Sequence, residues 1–192
     1  MTLKPTPATS LLLCLFPVAL LGACAMPGPA DTMAMPAFSQ SALPAAVQVP
    51  AGHKVAMETV GAGKITYECQ AKADLPGQHA WVFVGPDATL TDRRMKKVGT
   101  YFGPPATWAS EDGSKVTGKQ LAVAPGAPGS IPMQLVKADP ASGMGAMQGV
   151  SYIQRVATQG GVAPKEPCDA STVGRRQVVS YQADYIFWTP AM

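Results

Sequence analysis

Asparagine is absent from this chain, and charged residues make up only 14% of it, with just two histidines among 192 residues. Each scarcity excludes something. Without Asn, the left-handed backbone positions of turns fall to the 19 glycines, with Asp and the 19 prolines making other turns. Breakers at that density leave few windows long enough for a helix. The histidines, His53 and His79, are the only side chains whose unperturbed range suits proton shuttling near neutrality. Neither belongs to an H-E-x-x-H, and no G-x-S-x-G nucleophile elbow is present. The formal charge of +3 is too slight to predict a nucleic-acid partner.

The N-terminal sequence does carry information. Lys4 precedes an uncharged apolar run at 11–21, LLLCLFPVALL. Eleven residues fall short of the roughly 20 that a membrane-spanning helix needs. A positive start, a short apolar core and small residues after it make a secretory signal peptide. Leu21-Gly22-Ala23-Cys24 resembles the bacterial lipobox. That resemblance implies cleavage after Ala23 and a mature N-terminus at Cys24 carrying acyl chains. Such an anchor is effectively permanent, since each buried methylene adds about 0.8 kcal/mol. The plainer alternative is ordinary cleavage near Ala23 or Ala25, leaving a free thiol. Ala25 stands where an Asp would resemble an inner-membrane retention signal, which favours an outer-membrane lipoprotein facing the periplasm or the cell surface.

With residues 1–23 removed, 14 basic and 12 acidic side chains remain, as do Cys69 and Cys168. In an exported chain these two cysteines are expected to bond. The loop they would close spans 99 residues, worth about 4.7 kcal/mol by chain entropy. The rival reading, a pair of metal ligands, finds no CxxC or neighbouring His for support. No metal or other cofactor is expected.

Residues 24–48, rich in Ala, Pro and Met and without periodicity, read mostly as a flexible tether. The remainder, 49–192, reads as a single all-β domain: short apolar, β-branched and aromatic runs alternate with turn signals. The pattern predicts an antiparallel sandwich or partly closed barrel with long Gly/Pro loops. Its strands are expected at 53–60, 64–70, 80–84, 98–102, 115–124, 131–137, 150–157 and 178–188. Turns are expected at 61–63 (GAG), 75–78, 111–114 and 124–130, and a weak helical turn at 140–149. In the last strand Tyr181, Ala183, Tyr185 and Phe187 share one face, yet Ile186 and Trp188 make the other face apolar too. Such a strand is central, or is covered by the tether.

Several stretches from Val49 to Trp188 resemble a family of exported proteins known only as a domain of unknown function, numbered thirty-four fifty-five. They include Val49-Pro50-Ala51-Gly52, Tyr67-Glu68-Cys69, Trp81, Gly103-Pro104 with Thr107-Trp108, and Asp112-Gly113-Ser114. They continue through Ile153-Gln154-Arg155-Val156, Gly160-Gly161, Cys168 and Tyr181-x-Ala183-Asp184-Tyr185. The resemblance implies one secreted domain and supports the disulfide, because both cysteines recur in the family. Many relatives place a His before the aromatic of the Gly-Pro stretch. Thr100 or Tyr101 stands there instead, which weakens any acid–base or metal role. No activity comes with the family.

Catalysis finds little footing, and no catalytic residue is assigned. Glu68 and Asp184 are the carboxylates that a hydrolase reading would use, although Asp184 is also placed to pair with Arg155 across strands. Met133, Met144 and Met147, with Met26, Met33 and Met35, suit Cu(I) in principle and packing in practice. The basic run 93–97 reads as a solvated hairpin tip, or as a contact for acidic headgroups and glycans. Trp81, Tyr101, Trp108 and Trp188 lie on or beside strands and suit the flat faces of sugars, although Trp81 and Trp108 read equally well as core. The ligand surface is expected at Tyr101, Phe102 and Trp108, in the turn-rich segment 100–118. The expectation is a non-catalytic, lipid-anchored binding module for an envelope polymer or glycan; a hydrolase or a purely structural envelope protein is the alternative.

Overall fold

A computed structural model describes residues 1–2 and 37–191. Cys24, nearly all of the expected signal peptide and half of the expected tether lie outside the described residues. Within the unit Ala37–Met192 the strands are β1 (His53–Ala71), β2 (His79–Thr91), β3 (Lys97–Phe102), β4 (Thr107–Ser110), β5 (Lys115–Ala124), β6 (Met133–Ala138), β7 (Tyr152–Gly160) and β8 (Arg176–Pro190). Each pairs antiparallel with the next, and β1 pairs with β8, so one sheet closes into a barrel. Of the two architectures expected, the barrel is the one formed. The disulfide joins Cys69 to Cys168 with Cα atoms 5.5 Å apart.

Two expectations about the strands need correction. The GAG at 61–63 is not a turn but the middle of β1. A Cβ on Gly61 would stand 2.5 Å from the Tyr185 ring, and one on Gly63 would overlap the Asp87 carbonyl and stand 2.5 Å from Ala88 Cα. These glycines let neighbouring strands and a buried ring approach closely, as interior strand glycines often do. Segment 100–118 is not an open loop either. Its four-residue β4 pairs Tyr101 with Trp108 on one side and Trp108 with Val116 on the other.

Alternation along the strands divides the apolar residues into two cores. Ile65, Tyr67, Leu90, Tyr101, Trp108, Val116, Val136, Ile153, Tyr181, Tyr185 and Phe187 belong to the inner one. The opposite faces of β6, β7 and β8 contribute Leu135, Val156, Ile186 and Trp188 to a second, outer core. That outer core is covered by residues 37–49, which contain a 3₁₀ turn at Ala45–Val47. The end of the expected tether therefore packs as a strap. Val47 is fully buried, and Phe38 meets Trp188 edge-on, centroids 6.2 Å apart. Its polar seam is Gln154, which donates to the Val47 carbonyl (2.6 Å) and Gln40 (3.0 Å) while accepting from the Trp188 indole N–H (2.8 Å).

The meander puts alternate connections at opposite ends of the barrel. The β6–β7 connection, 139–151, closes one end: Met147 and Val150 are buried among the inner residues. Asp112 holds it there, accepting from the Ala146 N–H at 2.7 Å and from the Ser114 hydroxyl at 2.6 Å. Those hydrogen bonds, the Ser114 hydroxyl first, hold the Asp112 carboxyl well below the ordinary carboxylate range. The short turn expected at 140–149 forms as isolated hydrogen-bonded turns and not as a helix, the Gln148 N–H donating to the Gly145 carbonyl at 3.0 Å. The other end carries the disulfide and the connections 72–78, 103–106, 125–132 and 161–175.

Candidate functional site

Eight strands enclose a space just wide enough for side chains or for one small ligand. Here side chains fill most of it but not all. A cavity of about 320 Å³ lies toward the disulfide end, lined by Tyr101 of β3, Trp108 of β4, Gly118 and Gln120 of β5, Gln134 and Val136 of β6, and Arg155 of β7. Phe83 and Ala106 complete the lining, with Phe83 half exposed. The space is set by small residues: a Cβ on Gly118 would stand 2.6 Å from the Val136 side chain. Its aromatic wall is firm. Tyr101 stacks on Trp108 with centroids 4.7 Å apart and planes 22° apart, and Tyr185 packs against both at 5.0 and 6.0 Å.

The polar lining is cationic and donor-rich. Arg155 sits on the inward face of β7 with Ile153, and among the described residues it makes no ion pair. Its Nε and Nη2 donate to the Pro132 carbonyl at 3.2 and 3.0 Å. Gln134 donates to Gln120 at 2.6 Å. The Trp108 indole N–H, in a residue 1% exposed, finds no acceptor among the described residues. Burial raises the phenols of Tyr67, Tyr101, Tyr181 and Tyr185, Tyr181 to about 12, and the Arg155 charge offsets this only in part. All four stay neutral near pH 7.

A family model described as a protein of unknown function, DUF3455, matches residues 50–189. The chain belongs to that family. No curated protein and no solved structure matches it. The DUF3455 match takes in all eight strands except the final residue of β8, and it begins just after the strap.

Within the DUF3455 domain, the three residues expected to form one ligand surface are divided by the barrel wall. Tyr101 and Trp108 face inward and are buried, whereas Phe102, one position along, faces outward and is 41% exposed. Trp81 and Trp188 lie elsewhere: Trp81 donates to the Glu166 carbonyl at 2.8 Å, and Trp188 belongs to the outer core. Glu68 and Asp184 are not brought together. Glu68 lies opposite Arg176 and Asp184 opposite Val60, about 25 Å away at the usual rise along β1. Two carboxylates acting on one glycosidic bond stand about 5–10 Å apart. Glu68 is instead paired with Arg176, whose hydrogen bond lowers its pKa. Asp184 faces outward with Arg93 and Glu58 nearby, not Arg155.

The remaining candidates are also scattered. Met147 is in the inner core, Met133 beside the outer one, and Met144 is exposed. Among the described residues no cluster of His, Cys, Asp and Glu could hold a metal. His53 donates from Nδ1 to the Pro50 carbonyl and packs edge-on against Tyr152; His79 opens β2. The basic run caps the β2–β3 hairpin, with Arg93 paired to Glu58 and Lys97 to Glu111. The residues that the sequence reading missed as lining are Gln120, Gln134 and Arg155. Strand parity was the available signal: Arg155 shares a face with Ile153, as Gln134 does with Val136.

Proposed function

We propose that this DUF3455 protein is an exported, lipid-anchored, non-catalytic binding module whose site is the barrel lumen and whose ligand is a small component of the cell envelope or its surroundings. One observation carries the reading: a closed barrel retains a cavity of about 320 Å³ whose lining includes Phe83, Gln120, Gln134 and Arg155. Sites for small molecules are concave, mostly apolar and furnished with a few placed polar groups. Among the described residues no carboxylate lines this one, which favours holding a ligand over hydrolysing it. A cavity of this size takes a molecule of one or two rings, not a polymer strand, so the glycan expectation narrows to small molecules.

The reading has two tests. A panel of neutral, anionic and cationic one- and two-ring compounds is titrated into the mature protein, following tryptophan fluorescence and melting temperature. At least one compound should bind the wild type and fail to bind Gln134→Trp, in which the new indole fills the cavity. If no compound of any charge separates the two proteins, the lumen is not a ligand site. The anchor is tested separately: Cys24→Ser should move the protein from the membrane fraction to the soluble periplasm, and an unmodified, soluble wild type would remove the lipid from the proposal.

A further inference from the structure

We infer that the tip of the β2–β3 hairpin, through Arg94, Met95 and Lys96, is the face this domain lays on an anionic lipid surface, the one that holds its anchor. The inference rests on the anchored reading for the presence of that surface. It adds which side of the domain meets the lipid and by what chemistry.

The hairpin is closed by two backbone hydrogen bonds. The Asp92 N–H donates to the Lys96 carbonyl at 2.9 Å and the Met95 N–H to the Asp92 carbonyl at 3.0 Å. The Asp92 carboxylate is turned back into the loop, accepting from the Arg94 and Lys96 N–H groups at 2.8 and 2.9 Å. A loop of this kind ends in a left-handed residue, where hairpins ordinarily put glycine. Here that residue is Met95, at φ 63°, and its side chain stands 77% exposed. The cations around it divide by partner. Arg93 is paired to Glu58 and Lys97 to Glu111, whereas Arg94 and Lys96 are exposed and make no ion pair among the described residues. The tip therefore presents an apolar side chain between two cations without counter-charges. Water and sugar chains offer such a side chain no apolar phase. The boundary of an anionic lipid layer does, with headgroups for the cations and acyl chains within reach of the thioether.

The chain enters the domain at the same place. Glu58 accepts from the Phe38 N–H at 3.1 Å with one oxygen and from Arg93 with the other. Ala37 lines the same groove as Arg93 and Arg94. The strap thus begins beside the hairpin tip, thirteen residues after Cys24. Thirteen residues reach at most about 45 Å in any conformation, against about 80 Å for a tether running to residue 48. Docking of the strap roughly halves the leash and sets its exit next to the exposed cations. On so short a leash the tip meets the surface at high effective concentration, so weak contacts are enough to orient the domain. The disulfide end, with the cavity toward it, then points away from the lipid. The competing account is a solvated tip whose charges serve solubility alone.

The test supplies the tether chemically, so that it does not depend on natural acylation. The mature chain, produced without residues 1–23 and with its disulfide formed, is coupled through the Cys24 thiol to maleimide-headgroup lipid. The vesicles are phosphatidylcholine, either alone or two-to-one with phosphatidylglycerol, and equally brominated in their acyl chains. In Met95→Trp, bromine should quench the new indole at least twofold more strongly on anionic than on neutral vesicles, with coupled wild type as the blank for the native tryptophans. High salt should remove the difference. Adding Arg94→Gln/Lys96→Gln should abolish it. Adding Lys165→Gln/Arg175→Gln, which takes the same charge from exposed side chains at the disulfide end, should leave it intact. In the coupled wild type, acetylation of Lys96 should slow at least threefold on anionic vesicles while Lys165 keeps its rate. Equal quenching on the two vesicles, equal loss in the two double variants, or an unchanged Lys96 rate overturns the inference and leaves the tip solvated. The anchor stands or falls separately. If Cys24 is acylated in cells and the tip ignores anionic vesicles, the inference falls and the anchor stands; if Cys24 is unacylated and the coupled tip still seeks them, the anchor falls and the lipid preference of the tip stands.

Discussion

Replacing Gln154 with Leu should loosen the strap before it disturbs the barrel. Gln154 is fully buried, and the substitution keeps most of its volume while removing every hydrogen bond it makes. Two buried groups are then stranded: the Trp188 indole N–H and the Val47 carbonyl. Each costs about 1–3 kcal/mol if it stays dry and unpaired, or about 2–6 kcal/mol together. Against this stands the burial that holds the strap down, of which Val47 and Val49 are the most completely buried part, at about 1.5–3 kcal/mol each. The two sums are of the same size, so the cheaper escape is for the strap to lift and let water reach both groups. Hydrogen exchange reads this directly. The amides of Val47 and Val49, bonded to the Pro44 carbonyl and to Gln40, should exchange at least tenfold faster in Gln154→Leu, while amides paired within β2, β3 and β4 keep wild-type rates. A protease should also find residues 37–48 in the variant and leave the barrel intact. Unchanged exchange at Val47 and Val49, with an unfolding free energy in urea changed by less than about 0.5 kcal/mol, would refute the reasoning.

Gly63→Ala should cost about 1–3 kcal/mol or more in urea unfolding, since its Cβ meets β2 backbone that cannot yield without parting the strands; a neutral Gly63→Ala would show that β1 and β2 have slack there. Tyr181 ionises at about 12 in the folded protein against 10.0 unperturbed, chiefly through burial. The folded state thus keeps a proton that the unfolded chain releases near pH 10, so stability should be complete below pH 10 and fall as pH rises through 12. Tyr181→Phe should flatten that fall, and a wild type equally stable at pH 9 and 11.5 would contradict it. The double substitution Cys69→Ala/Cys168→Ala should lower stability by about 2–5 kcal/mol, and the denatured wild type should titrate no free thiol without reductant.

Where the sequence was legible, the information was local. The two-faced apolar pattern of β8 pointed to a covered strand, and β8 is both closed against β1 and overlaid by the strap. The disulfide followed from compartment and count. Where the reading failed, the deciding contacts were distant in sequence. Gly61 and Gly63 look like a turn until Tyr185 and Asp87, more than twenty residues away in each case, are placed against them. β4 has four residues, too few to show a period, and its existence depends on β3 and β5 flanking it. The strap shows no periodicity because it buries single side chains, Val47 and Val49, rather than a face. The lumen site is the hardest case. From the sequence, Tyr101 and Trp108 read as aromatics of one ligand surface with Phe102, but which way a strand faces is set by register across the whole barrel, and only that register brings Arg155 beside them.

The closed meander also has a consequence for how the chain folds. Seven of its eight seams join strands adjacent in sequence and can form as hairpins. The eighth, β1 with β8, joins residues as distant as Glu68 and Arg176, separated by 108 positions. Until it forms, β1 has an open edge, the kind of surface on which partly folded chains associate. Cys69 is the next residue after Glu68, and Cys168 lies eight positions before Arg176. Once the two sulfurs are joined, the final seam has to close a loop of about ten residues in place of one of about a hundred. Logarithmic scaling of loop entropy makes that search about 2 kcal/mol easier. Oxidation therefore acts as the starting stitch of the last seam, and a chain kept reduced must find that seam by a search across its whole length.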